Sequence, residues 1–440
     1  MVEKLFKLKE AGTNVRTEAI AGLTTFMAMA YIIFVQPAVL SVAGMDFGAV
    51  MVATCLSAFL ATLIMGLYAN YPIALAPGMG ENFYFAFTVI LGMGIAWQSA
   101  LGAIFISGVV FIILTLFKIR EMIIDSIPTS LKNAIAGGIG LFIAFIGLNQ
   151  AGIVVKSPGG IVMLGNLRQP AVLLSFFGIL LIAILMARKI KGAILLGMLI
   201  TAGLGIPLGI VNYQGIFSRP PSLAPTLLQL DILGAFKLGF ITIIVVFLFM
   251  DLFDTVGTLI GVGETAGFMR EGRLPRANRA FLADAIGTVS GAMLGTSTVT
   301  SYIESATGVT AGGRTGFASV VTALLFLLAI FFYPLVRMIG GGYEVTKGIF
   351  LYPVTAPALV IVGSLMLHTI NRIDWKEPSE AIPSFLTLIG MPLTYSIADG
   401  LALGFISYPI IKIFSGKGKE VSWLVYLLAV LFILRYAFIK

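Results

Sequence analysis

Apolar residues fill this chain in runs of helix length, broken by short clusters of glycine, proline and charge. A helix needs about 20 apolar residues to cross a bilayer. On that measure the first half gives seven segments, near 18–41, 48–69, 73–92, 96–117, 130–150, 170–187 and 192–212. The second half gives seven more, near 235–262, 279–294, 298–313, 316–339, 352–370, 383–413 and 421–438. The runs lack period-two alternation, which argues against a β-barrel. The expected class is an all-α polytopic membrane protein of fourteen transmembrane segments. The stretch 383–413 is too long for one straight span. Gly390, Pro392 and the Asp399-Gly400 pair predict that it is broken or partly interfacial.

Two segments open unlike the others. The third begins Ala74-Leu75-Ala76-Pro77-Gly78-Met79-Gly80-Glu81-Asn82, and the tenth begins Gly295-Thr296-Ser297-Thr298. Proline and glycine at the head of a short apolar run predict an extended stretch leading into a half-helix. Each is third in its set of seven, and matching interruptions point to inverted repeats with a site between them. Residues 1–212 then form one repeat and 235–440 the other. Residues 213–234, with Pro220, Pro221 and Pro225, read as an extracytoplasmic linker.

Composition fits this reading. Of 440 residues, 59% are hydrophobic and 11% charged, against about 25% charged in a soluble domain. The net charge of +8 reads as basic cytoplasmic loops rather than a nucleic-acid surface. Alternating the segments from a cytoplasmic N-terminus puts most basic residues inside, among them Lys4, Lys118, Arg120, Lys132, Arg188, Arg270, Arg273, Arg372, Arg435 and Lys440. Both termini are then cytoplasmic and the protein lies in the cell membrane. Lys412, Lys417 and Lys419 fall on the opposite side and strain the last two spans. No cleavable leader is expected, since the first apolar run is long enough to be an uncleaved span. One cysteine, Cys55, and one histidine, His368, argue against a disulfide framework and a multi-histidine metal cluster, so no cofactor is expected.

The candidate chemistry lies between Phe247 and Gly316. Asp251 and Asp254, three apart, share roughly one helix face, and Asp284 and Glu304 follow within apolar helices. Carboxylates at membrane depth are costly and mark a site or a pathway. Half-helix N-termini present unpaired N–H groups and partial positive charge, which suits an anion or a polar heterocycle. Lining carboxylates disfavour the anion and suit a neutral ligand with N–H donors. Phe83, Tyr84, Phe87 or Tyr302 could stack on a planar ring.

Gly22-Leu23-Thr24-Thr25-Phe26 with Met29-Ala30-Tyr31, Ala76 to Gly80, Phe253-Asp254-Thr255-Val256-Gly257-Thr258, Gly295 to Thr298, Tyr302-Ile303-Glu304-Ser305 and Gly312 to Gly316 together resemble the AzgA-like purine permeases. These belong to the nucleobase–cation symporter-2 superfamily. The resemblance covers nearly the whole chain. It implies proton-coupled uptake of guanine, hypoxanthine or adenine by a transporter, not an enzyme. It also implies the uracil-permease fold, with a core domain (18–117 and 235–339) and a gate domain (130–212 and 352–438), often dimeric through the gate. By motif, Asp254 and Glu304 carry over as the carboxylates that hold the base, with Thr296, Ser297 and Thr298 beside them. Thr258 stands where uracil-type members carry histidine, so proton coupling falls to Asp254, Glu304, Asp251 and Glu81. Glu81 departs from the apolar residue common there. Guanine offers N1–H and a 2-amino group to one carboxylate, which favours guanine and hypoxanthine. An adenine-preferring permease and a sulfate-permease-type anion transporter are the alternatives.

Overall fold

The computed structural model describes residues 2–117, 126–236, 240–269, 274–346 and 349–438. Lys118, Arg120, Arg270, Arg273 and Lys440 of the charge assignment lie outside them. A short helix α1 (Val2–Phe6) precedes α2 (Val15–Met29), which continues with a small break into α3 (Ile32–Val42). Asn14 caps α2, its side chain accepting from the Thr17 N–H at 2.9 Å. Then follow α4 (Phe47–Ile64), strand β1 (Leu75–Pro77) and α5 (Met79–Phe83). The chain winds on more loosely from Tyr84 to Gly92 before α6 (Trp97–Leu116). Helix α7 (Thr129–Gln150), the hairpin β2–β3 (Val154–Lys156, Val162–Leu164), α8 (Pro170–Ala187) and α9 (Ala193–Gly205) complete the first half.

The second half begins with α10 (Phe240–Ala266) and α11 (Ala277–Leu294). Strand β4 (Val299–Ser301) leads to the short α12 (Ser305–Thr310), then α13 (Gly316–Ala329) and α14 (Tyr333–Gly340). A hairpin β5–β6 (Tyr343–Thr346, Ile349–Leu351) precedes α15 (Ala356–Met366), α16 (Pro378–Thr394), α17 (Ile397–Phe414) and α18 (Trp423–Phe438). Among the described residues eight helices are long and apolar enough to cross a membrane. The remaining segments are shorter or interrupted.

The helices pack in two groups. In one, α2 and α4 lie on α13, and α4 and α6 on α11. In the other, α7 packs on α15 and α16, α8 on α9 and α15, and α16 and α18 on α17. Hydrophobic burial drives no contact between helices in lipid, so close backbone approach has to do it. Each group has one reciprocal glycine crossing. A β-carbon on Gly66 or Gly316 would collide with the other's carbonyl oxygen, and Gly140 and Gly363 face each other in the same way.

Two expectations are corrected here. The stretch 383–413 is broken as predicted, at Tyr395 between Pro392 and Asp399, where the backbone turns left-handed (φ 56°), but the two pieces form a hairpin and not one interrupted span. The resulting hairpin brings Lys412 and Lys417 back to the start of α16, where Lys412 pairs with Glu380 at 2.9 Å and Lys417 with Glu377 at 2.8 Å. Lys412 and Lys419 share a cavity there with Ser126 and Lys132. The three lysines therefore sit at the end assigned to the cytoplasm. The Lys417 ammonium, with help from Ser379, pulls the Glu377 carboxyl down to about 2, so this tie stays ionised at physiological pH. The second correction concerns Arg435. Helix α18 runs antiparallel to α17, and Tyr436 donates to Asp399 at 2.6 Å. Arg435, expected at the cytoplasmic end, thus lies at the end of α17 opposite to the lysines.

The linker 213–234 lies across the ends of three helices. Ser218 N–H donates to Phe331 O, Leu228 N–H to Met293 O and Asp231 N–H to Gln98 O.

The glycine crossings predict asymmetric tolerance. Gly316→Ala and Gly363→Ala overpack backbone against backbone, an error that costs about 1–3 kcal/mol in a packed core. Both variants should melt at lower temperature in detergent. Gly257→Ala, which meets open space, should melt at or above the wild-type temperature.

Candidate functional site

The site begins with backbone. Strands β1 and β4 pair antiparallel in the register Leu75↔Ser301, Ala76↔Thr300, Pro77↔Val299. Tyr302 N–H donates to Ala74 O and Gly78 N–H to Thr298 O, both at 2.9 Å, extending the pair at its two ends. The predicted extended stretches before half-helices are thus present, and they are each other's partners. In the tenth segment the extended part is longer than expected. Helix α12 starts only at Ser305, and Thr296, Ser297 and Thr298 lie in the extended part ahead of the strand.

Three carboxyl groups gather around this pair. Thr300, on β4, donates to Asp254 Oδ2 at 3.0 Å. Tyr31, at the junction of α2 and α3, donates to Glu304 Oε1 at 2.6 Å. Glu81, in the first turn of α5, is 1% exposed, and its Oε2 has no hydrogen-bond partner. Gly78 makes room for it. A β-carbon on Gly78 would strike Glu81 Oε2 and lie 2.9 Å from Thr300 Oγ1. Glu81 and the Thr300–Asp254 pair therefore meet over one missing side chain. Asp254 and Glu304 are half-buried. Among the described residues no basic side chain forms an ion pair with any of the three. A buried carboxylate without a cation is expensive, so protons or a ligand's N–H groups have an obvious place here.

The other acids turn elsewhere. Asp251 accepts from Thr288 of α11 at 3.2 Å, and that hydroxyl also reaches Val299 O at 3.0 Å. Asp284 accepts from Thr255 at 2.7 Å and from Ser301 at 3.5 Å. Both fasten β4 to α10 and α11 behind the strand. Asp251 is thereby directed at α11 and the back of β4.

The aromatic candidates divide. Tyr302 gives its hydroxyl to Pro77 O at 2.5 Å, and its ring lies 6.4 Å from that of Tyr31. Phe83 and Phe87 stack at 5.7 Å, one helical turn apart, and Phe87 meets Tyr395 at 5.9 Å. Tyr84 is the exception. It packs edge-on against Phe247 at 4.9 Å. One residue of helical rotation separates it from the face that Phe83 and Phe87 share.

Sequence reasoning missed Gln36. This buried amide donates to Thr296 Oγ1 at 2.9 Å and Ser297 Oγ at 2.8 Å, and accepts from Asn82 at 2.6 Å. It clamps α3, α5 and the approach to β4 together, so Thr296 and Ser297 spend their hydroxyls on it. A glutamine inside an apolar span, just before Pro37, was the available signal. Glu18 was missed as well. It accepts from the N–H groups of Arg314, Thr315 and Ala318 at the head of α13, the usual place for a carboxylate on a helix N-terminus.

The profile of the Permease family matches residues 16–403. A putative permease of Methanocaldococcus jannaschii is 59% identical, over 100% of this chain and 99% of its own. The guanine/hypoxanthine permease PbuG of Bacillus subtilis is 48% identical over 100% of both chains. The adenine permease AdeP of Escherichia coli is 47% identical over 100% of this chain and 96% of its own. Among solved structures, the transmembrane domain of a cyanobacterium bicarbonate transporter, BicA, aligns with a TM-score of 0.64 at 15% identity. It covers 89% of this chain and 97% of that one, a likeness of fold alone. With profile and full-length relatives in agreement, this chain belongs to the Permease family, as an AzgA-like member of the nucleobase–cation symporter-2 superfamily.

Proposed function

We propose that this permease is a proton-coupled importer of purine nucleobases, with guanine and hypoxanthine preferred over adenine. The observation that carries the proposal is the convergence of Asp254 and Glu304 on the β1–β4 pair, each held by one hydroxyl, from Thr300 and Tyr31. Two oriented carboxylates suit a flat ligand with N–H groups on its edge. The names of the relatives support the purine class, since one is a guanine/hypoxanthine permease and another, about equally similar, an adenine permease. The preference within the class rests on chemistry. N1–H and the 2-amino group of guanine give one carboxylate two donors, and hypoxanthine gives one, whereas adenine N1 is itself an acceptor.

In this reading Asp254 and Glu304 hold the base, and Tyr302, Phe83 or Phe87 supplies an aromatic wall. Thr296, Ser297 and Thr298 shape the approach from the other side. Glu81, whose Oε2 has no hydrogen-bond partner, carries the coupled proton together with the two binding acids, and Asp251 steadies β4 behind them. The two packing groups support a core domain (18–117 and 235–339) moving against a gate domain (130–212 and 352–438), with a homodimer through the gate. The cell membrane is the site of action, with the N-terminus cytoplasmic.

The test is radiolabelled hypoxanthine uptake into proteoliposomes, with and without an acid-outside pH gradient. The gradient should drive accumulation, and a protonophore should abolish it. Uptake that is indifferent to both would remove the coupling. A hydrogen bond to a charged group is worth about 1.5–3 kcal/mol, roughly 10- to 150-fold in affinity. Asp254→Asn and Glu304→Gln, inserted normally, should each lose at least that much of the initial rate. Retained transport in both would move the site elsewhere.

Glu81→Gln separates binding from coupling. It keeps the shape of the side chain and cannot ionise. Hypoxanthine should still exchange across the membrane at equal concentrations, while accumulation against a gradient is lost. Full accumulation by the variant would take the proton away from Glu81.

A further inference from the structure

A cavity of about 540 Å³ opens away from the carboxylate site, between the two helix groups. One wall is the end of α3 (Ser41), the start of α4 (Phe47) and Arg337 of α14. The other is Asn212, after α9, with Phe350 and Tyr352 at the end of the β5–β6 hairpin. Its volume lies in the range of small-ligand sites, which are aromatic-lined clefts with a few polar groups. The Arg337 guanidinium lies 4.7 Å above the ring of Phe47, which is itself buried against Tyr333. Among the described residues no carboxylate pairs with Arg337. A guanidinium laid on a ring spends its face there and keeps its N–H edge for hydrogen bonds.

The cavity is connected to the site through α3. Tyr31 and Gln36 of the site and Ser41 of the cavity lie on one continuous stretch. At 1.5 Å per residue, Ser41 stands about 15 Å beyond Tyr31. Packing joins the two places as well, since a β-carbon on Gly340 would lie 2.7 Å from Phe34 O and 2.9 Å from the Phe47 ring.

We propose that this cavity is an outer antechamber that holds a 6-oxopurine before it reaches the carboxylate site, with Arg337 as its selecting group. The proposal rests on the nucleobase reading above. A 6-oxopurine carries two adjacent acceptors, N7 and O6, which match an arginine edge as a bidentate pair. Adenine carries N7 beside an N6 amino donor, so a second arginine N–H meets a donor and the match fails. Phe350 and Tyr352 give the base aromatic surface. The carboxylate site reads the N1 edge and the antechamber the opposite one, so the purine is checked twice.

Two measurements test this. The first is concentration-dependent uptake of hypoxanthine and adenine by wild type, Arg337→Gln and Arg337→Lys, at equal amounts of inserted protein. Arg337→Gln should raise the KM for hypoxanthine roughly tenfold, the scale of one bidentate arginine contact, and leave that for adenine unchanged. Arg337→Lys, charged but not bidentate, should fall between. Equal changes for both bases, or none, overturn the proposal. Wild type that transports neither base refutes the nucleobase reading itself, before any variant is compared. The second measurement needs no transport. The single cysteine, Cys55, is buried, so Asn212→Cys offers one thiol to a membrane-impermeant maleimide. Hypoxanthine, and not adenine, should slow its labelling, and should still do so when Asp254→Asn is added. Adding Arg337→Gln should abolish the protection. Protection that vanishes with Asp254→Asn, or survives Arg337→Gln, overturns the antechamber.

Discussion

Two interrupted helices cannot leave their broken backbone bare inside a bilayer, and the way this chain satisfies that backbone determines much of the rest. Each unpaired N–H or C=O in hydrocarbon costs several kcal/mol. Here the two interruptions answer each other: β1 and β4 pair over three positions, and Tyr302 and Gly78 extend the pair at its ends. The same short pair also distributes the polar side chains. On β4, Thr300 turns to Asp254 and Ser301 to Asp284, while the Val299 carbonyl takes Thr288. Glu81 and Glu304 lie just beyond the ends of the two strands. Without the pairing nothing would hold acids from α5, α10 and the head of α12 around one point.

What the sequence reveals follows from which signals are local. Pro77-Gly78 and the Gly295 run announce a break because those residues act on their own backbone, so both half-helices were legible. Their mutual pairing joins residues more than 200 positions apart, and only the matching placement in the two halves hinted at it. Asp254, Glu304 and Glu81 stand out because a carboxylate in an apolar run is conspicuous. Their partners do not. Tyr31, Thr300 and Gln36 are ordinary residues of membrane segments, and their importance depends on what faces them. The aromatic run beginning at Phe83 shows the converse error. Its members are adjacent in sequence, yet a helix rotates Tyr84 away from Phe83 and Phe87, onto Phe247.

The hairpin of α16 and α17 shows why topology is harder to read than helix position. Its turn is made by Tyr395 in a left-handed conformation, which a tyrosine does not advertise as a glycine would. Taken as one span, the segment sends Lys412, Lys417 and Lys419 to the wrong side. Folded back, it returns them to Glu377 and Glu380, and the charge bias that orients membrane proteins becomes more consistent. The charge anomaly was therefore a true signal, pointing to a missing reversal of the chain.

Likeness of fold to a bicarbonate transporter's transmembrane domain raises the question of what sets the cargo on such a scaffold. A half-helix N-terminus favours negative charge, but its effect is about 0.3–1 kcal/mol at an exposed end and fades within a turn. Helix α12 has only six residues to contribute. Against it stand three carboxyl groups with no cation paired to them among the described residues. An anion entering would meet like charges at hydrogen-bond range in a poorly screened setting, where Coulomb terms far exceed those in water. A proton, or a neutral ring that presents N–H groups, meets the opposite situation. Under the proposed function, the paired strands supply a place that many cargoes could use, and the acids at 81, 254 and 304 select among them.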